Sequence, residues 1–154
     1  MNRIAPDKIH ITSIKIFKSN LNVTPEYLED PVTPEEIKVG YSQESGFYPE
    51  ENRIRIRLEV QLIALGKEKN ELGLNGEYSI EFHFIVENLK EFVIKPENDE
   101  KSKKDFESPL LSGVLGGTIM SIAYSTARGI ILERTQGTFF DGVILPVINP
   151  NDLL

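Results

Sequence analysis

Side chains able to do acid, base or metal chemistry are few in this chain and lie far apart. His10 and His83 are the only histidines, and no pair with metal-ligand spacing exists. Both fall at polar-face positions of strand-like segments, where solvated surface histidines are expected. There is no cysteine, which excludes disulfides, thiolate metal sites and a cysteine nucleophile. Gly113-Val114-Leu115-Gly116-Gly117 is glycine-rich, yet it lies inside a helical pattern and does not follow a strand. A phosphate-binding loop needs the opposite context. No nucleophile elbow or dinucleotide fingerprint occurs. Arg128, Glu133 and Arg134 close the helical stretch, where bases complement the helix dipole and an ion pair accounts for them. Arg53, Arg55 and Arg57 alternate along one strand, with Glu77 and Glu81 on the next. Cross-strand ion pairs explain this set. The chain reads as no enzyme, with no cofactor.

The aromatic residues are more informative. Phe139 and Phe140 follow the helix in a loop, and Phe47, Tyr48, Phe84 and Phe92 lie on strands or at their ends. Two readings are open. Such rings can pin a loop to the core, or they can line a shallow groove for extended apolar peptide. In the second reading Phe139, Phe140, Val143, Leu145, Phe47, Phe84 and Phe92 line the groove.

The elements that hold these residues can be read from periodicity. Ile9, Ile11, Ile14, Ile16 and Phe17 suggest a first strand whose phase changes near Ser13, the mark of a bulge. Pro25, Pro31 and Pro34 exclude a central strand or a long helix from the acidic stretch that follows. Ile37, Val39, Tyr41 and Phe47 share one parity, and Pro49 to Asn52 forms a hairpin turn. Ile54, Ile56, Leu58, Val60 and Leu62 alternate with charged residues, and Tyr78 to Val86 does the same after a polar 66–76 loop, with Phe92 and Val93 extending its apolar end. Four strands with short connections make an antiparallel sheet with one buried face. A charged linker, 96–107, leads to a long helix, 108–136, with Ser108 as cap, Pro109 at its first position and Gly137 as its stop. Strands within 8–94, linker, helix and a C-terminal loop segment, 137–154, form one α+β domain over residues 1–154.

The helix is apolar or small nearly all round. Leu111, Leu115, Ile119, Ile122, Thr126 and Ile130 make one stripe, and Gly113, Gly116, Gly117, Ser121 and Ser125 another face. A helix of this kind needs more than one packing partner. The sheet covers one face. A second subunit is expected on the rest, with Leu115, Gly116, Ile119, Ile122 and Thr126 at the interface. The alternative is that Gly116-Gly117 breaks the helix in two.

At 154 residues, 40% hydrophobic and 27% charged, the composition is that of an ordinary globular domain. No signal-peptide pattern and no membrane-length apolar run is visible, so a cytoplasmic protein without membrane insertion is expected. Residues 26–51 hold eight acids and one base, Lys38, so this segment alone carries the net charge of −7. The rest is neutral, which argues against a nucleic-acid partner. The acidic segment is either a solvated surface or a docking face for a basic partner.

Gly137-Thr138-Phe139, then an apolar stretch, Pro146-Val147 and the Asn149 to Leu154 end are similar to the C-terminal pattern of the SecB protein-export chaperones. Tyr124 to Arg128 echoes that family's Tyr-Ala-Arg, and the order of four strands then a long helix agrees. Phe140 stands where the family has proline, the Val147–Asp152 spacing is longer, and the family's terminal helix is missing. The resemblance implies a dimer-of-dimers tetramer with helices at its interface. It also implies ATP-independent binding of unfolded polypeptide at Phe139, with Val143 and Leu145 nearby. Glu81 suits one acidic position that docks the SecA motor, whereas Ser19, Asn20 and Val23 occupy the region of the other. A dedicated client, such as an antitoxin, is equally open.

Overall fold

The computed structural model describes residues 3–94 and 110–153. The expected charged linker, with Ser108 and Pro109, lies outside them. Four strands, β1 (Ile9–Val23), β2 (Glu36–Tyr48), β3 (Arg53–Leu65) and β4 (Glu71–Val86), form one antiparallel sheet in the order β1-β4-β3-β2. A short helix, α1 (Pro25–Glu29), begins the connection between the two edge strands. Its cap is Thr24, whose hydroxyl accepts from the Tyr27 amide. Two short strands, β5 (Val93–Ile94) and β6 (Leu110–Leu111), pair with each other, and the helix α2 (Gly113–Arg134) follows. The fold is α+β, as the periodicity predicts.

β1 breaks register with β4 between Ile11 and Ser13 and again between Ile16 and Lys18. The first shift is the expected bulge. The β2–β3 turn closes at Asn52, which takes the left-handed conformation (φ 53°). β4 begins earlier than the polar 66–76 composition suggests. Leu72 and Leu74 keep the parity of Tyr78, and Gly73 absorbs a left-handed kink (φ 82°) against the Thr24 side chain. Phe92 and Val93 do not extend β4. The chain turns at Leu89–Phe92, and Val93 pairs with Leu111.

The helix also departs from expectation at its start. Leu110 and Leu111 are strand because their backbone pairs with β5, so helical geometry begins at Gly113. Gly116-Gly117 does not break it. Its buried line is Leu115, Ile119, Met120, Ala123, Tyr124, Ala127 and Ile131. Leu115, Gly116 and Ile119, expected at a subunit interface, are therefore covered by the protein's own core. Ile122 and Thr126 sit on the flank, half-buried. A reading weighted toward large side chains misses the reason. Ala123 and Ala127 let the helix approach the sheet, so the contact line runs through them.

The core lies between α2 and the inner sheet face, with Phe82, Phe84, Ile80, Leu62 and Leu74 fully covered. Phe82→Ala is expected to cost about 3–5 kcal/mol, measured by urea denaturation. Val114→Ala on the exposed helix surface should stay within about 0.5 kcal/mol.

Candidate functional site

The loop after α2 separates the two phenylalanines that sequence treats alike. The chain leaves the helix through left-handed Gly137 (φ 72°), and Thr138 folds the turn by donating to the Thr135 carbonyl (2.6 Å) and accepting from the Phe140 amide (3.2 Å). Phe140 is thereby driven into the core, where its ring would lie 3.4 Å from a β-carbon placed at Gly76. Phe139 stays 46% exposed, with one edge against Tyr27 (5.4 Å between ring centres). Phe140 thus pins the loop, while Phe139 remains available.

From Val143 onward the chain is an extended strap beside β2. Leu145 points inward and is buried, while Ile144 and Val147 are 70% and 84% exposed. Two helix side chains hold the strap by its backbone. Arg128 donates to the Leu145 carbonyl (3.0 Å), and Tyr124 donates to the Pro146 carbonyl (2.6 Å). The Tyr124 hydroxyl also meets that of Tyr41 on β2 (3.1 Å), the rings meeting edge to face. Burial pushes the Tyr124 phenol up, as does its bond to Tyr41, so it stays protonated and can donate. Tyr124 and Arg128 are one helical turn apart, a spacing that puts both on one face. The sequence resemblance includes these two residues but gives no role to either. Arg128 serves the strap and has no ion pair among the described residues, whereas Glu133 and Arg134 do approach each other (3.6 Å).

Between the strap and β2 lies a cleft of about 590 Å³, lined by Pro34 to Val39, Tyr41, Val143, Ile144 and Pro146. β2 is an edge strand, so one side of its backbone faces this space without a ladder partner among the described residues. The cleft combines aliphatic side chains with free backbone polar groups and suits an extended polypeptide.

Of the expected groove residues, Val143 lines this cleft and Phe139 lies exposed elsewhere on the same C-terminal segment. Leu145, Phe140, Phe84 and Phe92 are in the core, and Phe47 is half-buried against it. The alternation that placed Phe84 on the apolar face also placed it under the helix. The residues sequence reasoning missed are Ile37, Val39, Ile144 and Pro146. Their alternating apolar pattern was visible, but which edge the strap would follow was not.

Glu81 is a second departure. It lies on the outer sheet face but is only 6% exposed. Arg57 binds it through two nitrogens (2.8 and 3.0 Å), Arg55 approaches to 3.5 Å, and His83 lies at 2.8 Å. The expected Arg–Glu pairing is present here, but it consumes the carboxylate that was to meet a partner. Glu77 pairs with Lys18 of β1 (2.5 Å) and not with an arginine. His83 is part of the network, not a solvated surface group; exposed His10 pairs with Glu87.

Burial alone would raise the Glu81 carboxyl. The hydrogen bonds from His83 and Arg57, with their charges, outweigh it and hold the group below its usual range. A carboxylate depressed in the folded state contributes stability above its unfolded pKa, and this is lost as pH falls through the folded value. Glu81→Gln should therefore cost about 2 kcal/mol at neutral pH and progressively less below about pH 4. Denaturation curves across pH measure this. For the strap, Arg128→Met with Tyr124→Phe should speed amide hydrogen exchange across residues 143–148 by about tenfold or more, with core amides little changed.

No protein-family model and no curated protein matches this chain. Among solved structures, the Mycobacterium tuberculosis Rv1957 SecB-like chaperone, in complex with a ChAD peptide from the Rv1956 HigA1 antitoxin, is similar with a TM-score of 0.59 and 11% identity, over 92% of this chain and 91% of that one. A Streptococcus agalactiae protein of unknown function aligns over 90% of this chain and 97% of its own, with a TM-score of 0.37 and 10% identity. The sheet, the helix and the first of these likenesses together give this chain a SecB-like fold.

Proposed function

We propose that this protein is a SecB-like chaperone that holds unfolded or extended polypeptide without nucleotide. The observation that carries this is the cleft between the free edge of β2 and the strap, with Ile144 and Val147 presented beside it. Exposed aliphatic side chains beside unpaired strand amides bind a chain by its backbone and tolerate many sequences. Protein export is one use of such binding. A second reading, service to one dedicated partner of the antitoxin kind, is favoured by the peptide bound to the structural relative.

The proposal includes assembly, in the form of a cytoplasmic homotetramer. Gly113, Gly117, Ser121, Ser125 and Gly129 recur every fourth residue along the helix, and all are exposed except Gly117, which is half-buried beside Asn151. A side chain at Gly113 or Gly129 would meet nothing among the described residues, whose packing does not demand glycine there. Each helical glycine costs about 1 kcal/mol relative to alanine, which a closely packed second helix would offset.

Native mass spectrometry, alone and with a permanently unfolded reduced and carboxymethylated protein, tests both parts. The expected result is a tetramer that captures the unfolded chain. The triple substitution Phe139→Ala, Val143→Ser, Ile144→Ser should keep the assembly and weaken capture by about tenfold or more. Unchanged capture would refute the cleft as the binding site. Failure to bind the unfolded probe, with tight binding of a single cellular partner, would select the dedicated reading.

A further inference from the structure

The sheet face opposite the helix carries a second surface that the cleft does not use. At the end near the Pro49–Glu51 turn, β3 presents Arg53, Arg55 and Arg57, β1 presents Lys15, and β4 presents His83. The carboxylates facing them are Glu81 from β4, Glu44 from β2 and Glu51 from the turn. These acids are not equivalent. Glu81 is covered and locked between Arg57, Arg55 and His83. Glu44 and Glu51 are 65% and 63% exposed, and each holds one arginine by a single contact, Arg55 at 3.2 Å and Arg53 at 2.9 Å. Ion pairs so open to water contribute little and exchange readily. The Arg55 Nε is buried without an acceptor, and exposed Lys15 has no ion pair among the described residues.

Two aromatic rings frame the arginines. The Arg53 guanidinium lies 4.1 Å over the Tyr48 ring, and that of Arg57 lies 4.6 Å over Phe17. Phe17 is 57% exposed and sits at the second β1 register shift. Stacking holds a guanidinium flat with its N–H edge free to bind a carboxylate.

We infer that this outer face docks an acidic, extended polypeptide segment, whose carboxylates replace Glu44 and Glu51 on Arg55 and Arg53. Alternate residues of a strand are about 6.6–6.8 Å apart, so acids at every second position of such a segment match the arginine spacing. Glu59 and Glu77 bound the basic cluster along β3 and β4, so it suits a short acidic segment and not the continuous phosphate chain of a nucleic acid.

The test is fluorescence anisotropy at physiological salt with a labelled peptide of about a dozen residues alternating serine and glutamate. Its serine–lysine counterpart and a short single-stranded oligonucleotide serve as comparison probes. The acidic peptide should bind best. Glu44→Gln with Glu51→Gln, which removes the internal competitors, should tighten binding about threefold or more. Glu26→Gln with Glu29→Gln, the same change in net charge on α1, should leave it within about 1.5-fold. Lys15→Glu with Arg53→Ser should weaken it about tenfold, with an unchanged circular-dichroism spectrum. Equal binding of the lysine peptide or the oligonucleotide would overturn the inference. So would a Glu44/Glu51 variant that binds no tighter than the α1 control. The failed competitor test leaves the cleft untouched, because the cleft lies at the β2 edge and shares none of these residues.

Discussion

One helix cannot cover a four-stranded sheet. An α-helix with its side chains is about 10–12 Å across, and strands lie about 4.8 Å apart, so α2 shields two strands fully and no more. It lies over β3 and β4, whose inner residues are buried along their length. Both flanks of the inner face must then be covered by something else. On the β2 side this is the strap, held by Arg128 and Tyr124. On the β1 side the inward positions Ile11, Ile14 and Ile16 stay 36–43% exposed although they oppose the buried Phe84, Phe82 and Ile80.

The strap covers its flank incompletely because of how it is attached. A second ladder on β2, formed by the strap, would have closed the edge. Instead the strap is tied through two of its carbonyls to helix side chains, with Leu145 as its buried anchor. Ile144, Pro146 and Val147 therefore face outward, and the edge of β2 remains open. The cleft is a consequence of attachment to the helix in place of the sheet. Tyr124 touches both walls at once, through the Tyr41 hydroxyl and the Pro146 carbonyl, so cleft width and helix position are mechanically linked.

Period-two alternation was readable wherever one face is dry and the other wet. Ile54 to Leu62 show this cleanly, and the Ser13 phase change announced its bulge. Legibility failed where a side chain's environment is set by another element. Glu81 has the alternation of a solvent-facing residue, yet Arg55, Arg57 and His83 close over it. Phe139 and Phe140 are chemically identical neighbours, and only the Thr138 turn decides which is buried. The helix contact line follows Ala123 and Ala127, whose small size carries no strong hydropathy signal but sets how near the sheet can come. The Gly137-Thr138-Phe139 pattern did locate the loop that begins the strap; it could not show which edge the strap follows.

The apolar inner flank of β1 and the basic outer face both rest on the two irregularities in β1. Before the first shift, odd-numbered residues Ile9 and Ile11 oppose inward Val86 and Phe84; after it, even-numbered Ile14 and Ile16 oppose Phe82 and Ile80; after the second, Ser19 and Leu21 restore the odd parity. Each bulge absorbs one residue, and a single one would invert the rest of the strand. Between the shifts, inverted parity places Lys15 opposite Glu81 on the outer face. The second shift leaves Phe17 against the Arg57 guanidinium. Without these shifts, Lys15 would turn inward beside the core and Ile14 and Ile16 would turn out among the arginines. The paired bulges keep aliphatic side chains on the inner face and a cation on the outer one, so that one strand serves two chemically opposed surfaces.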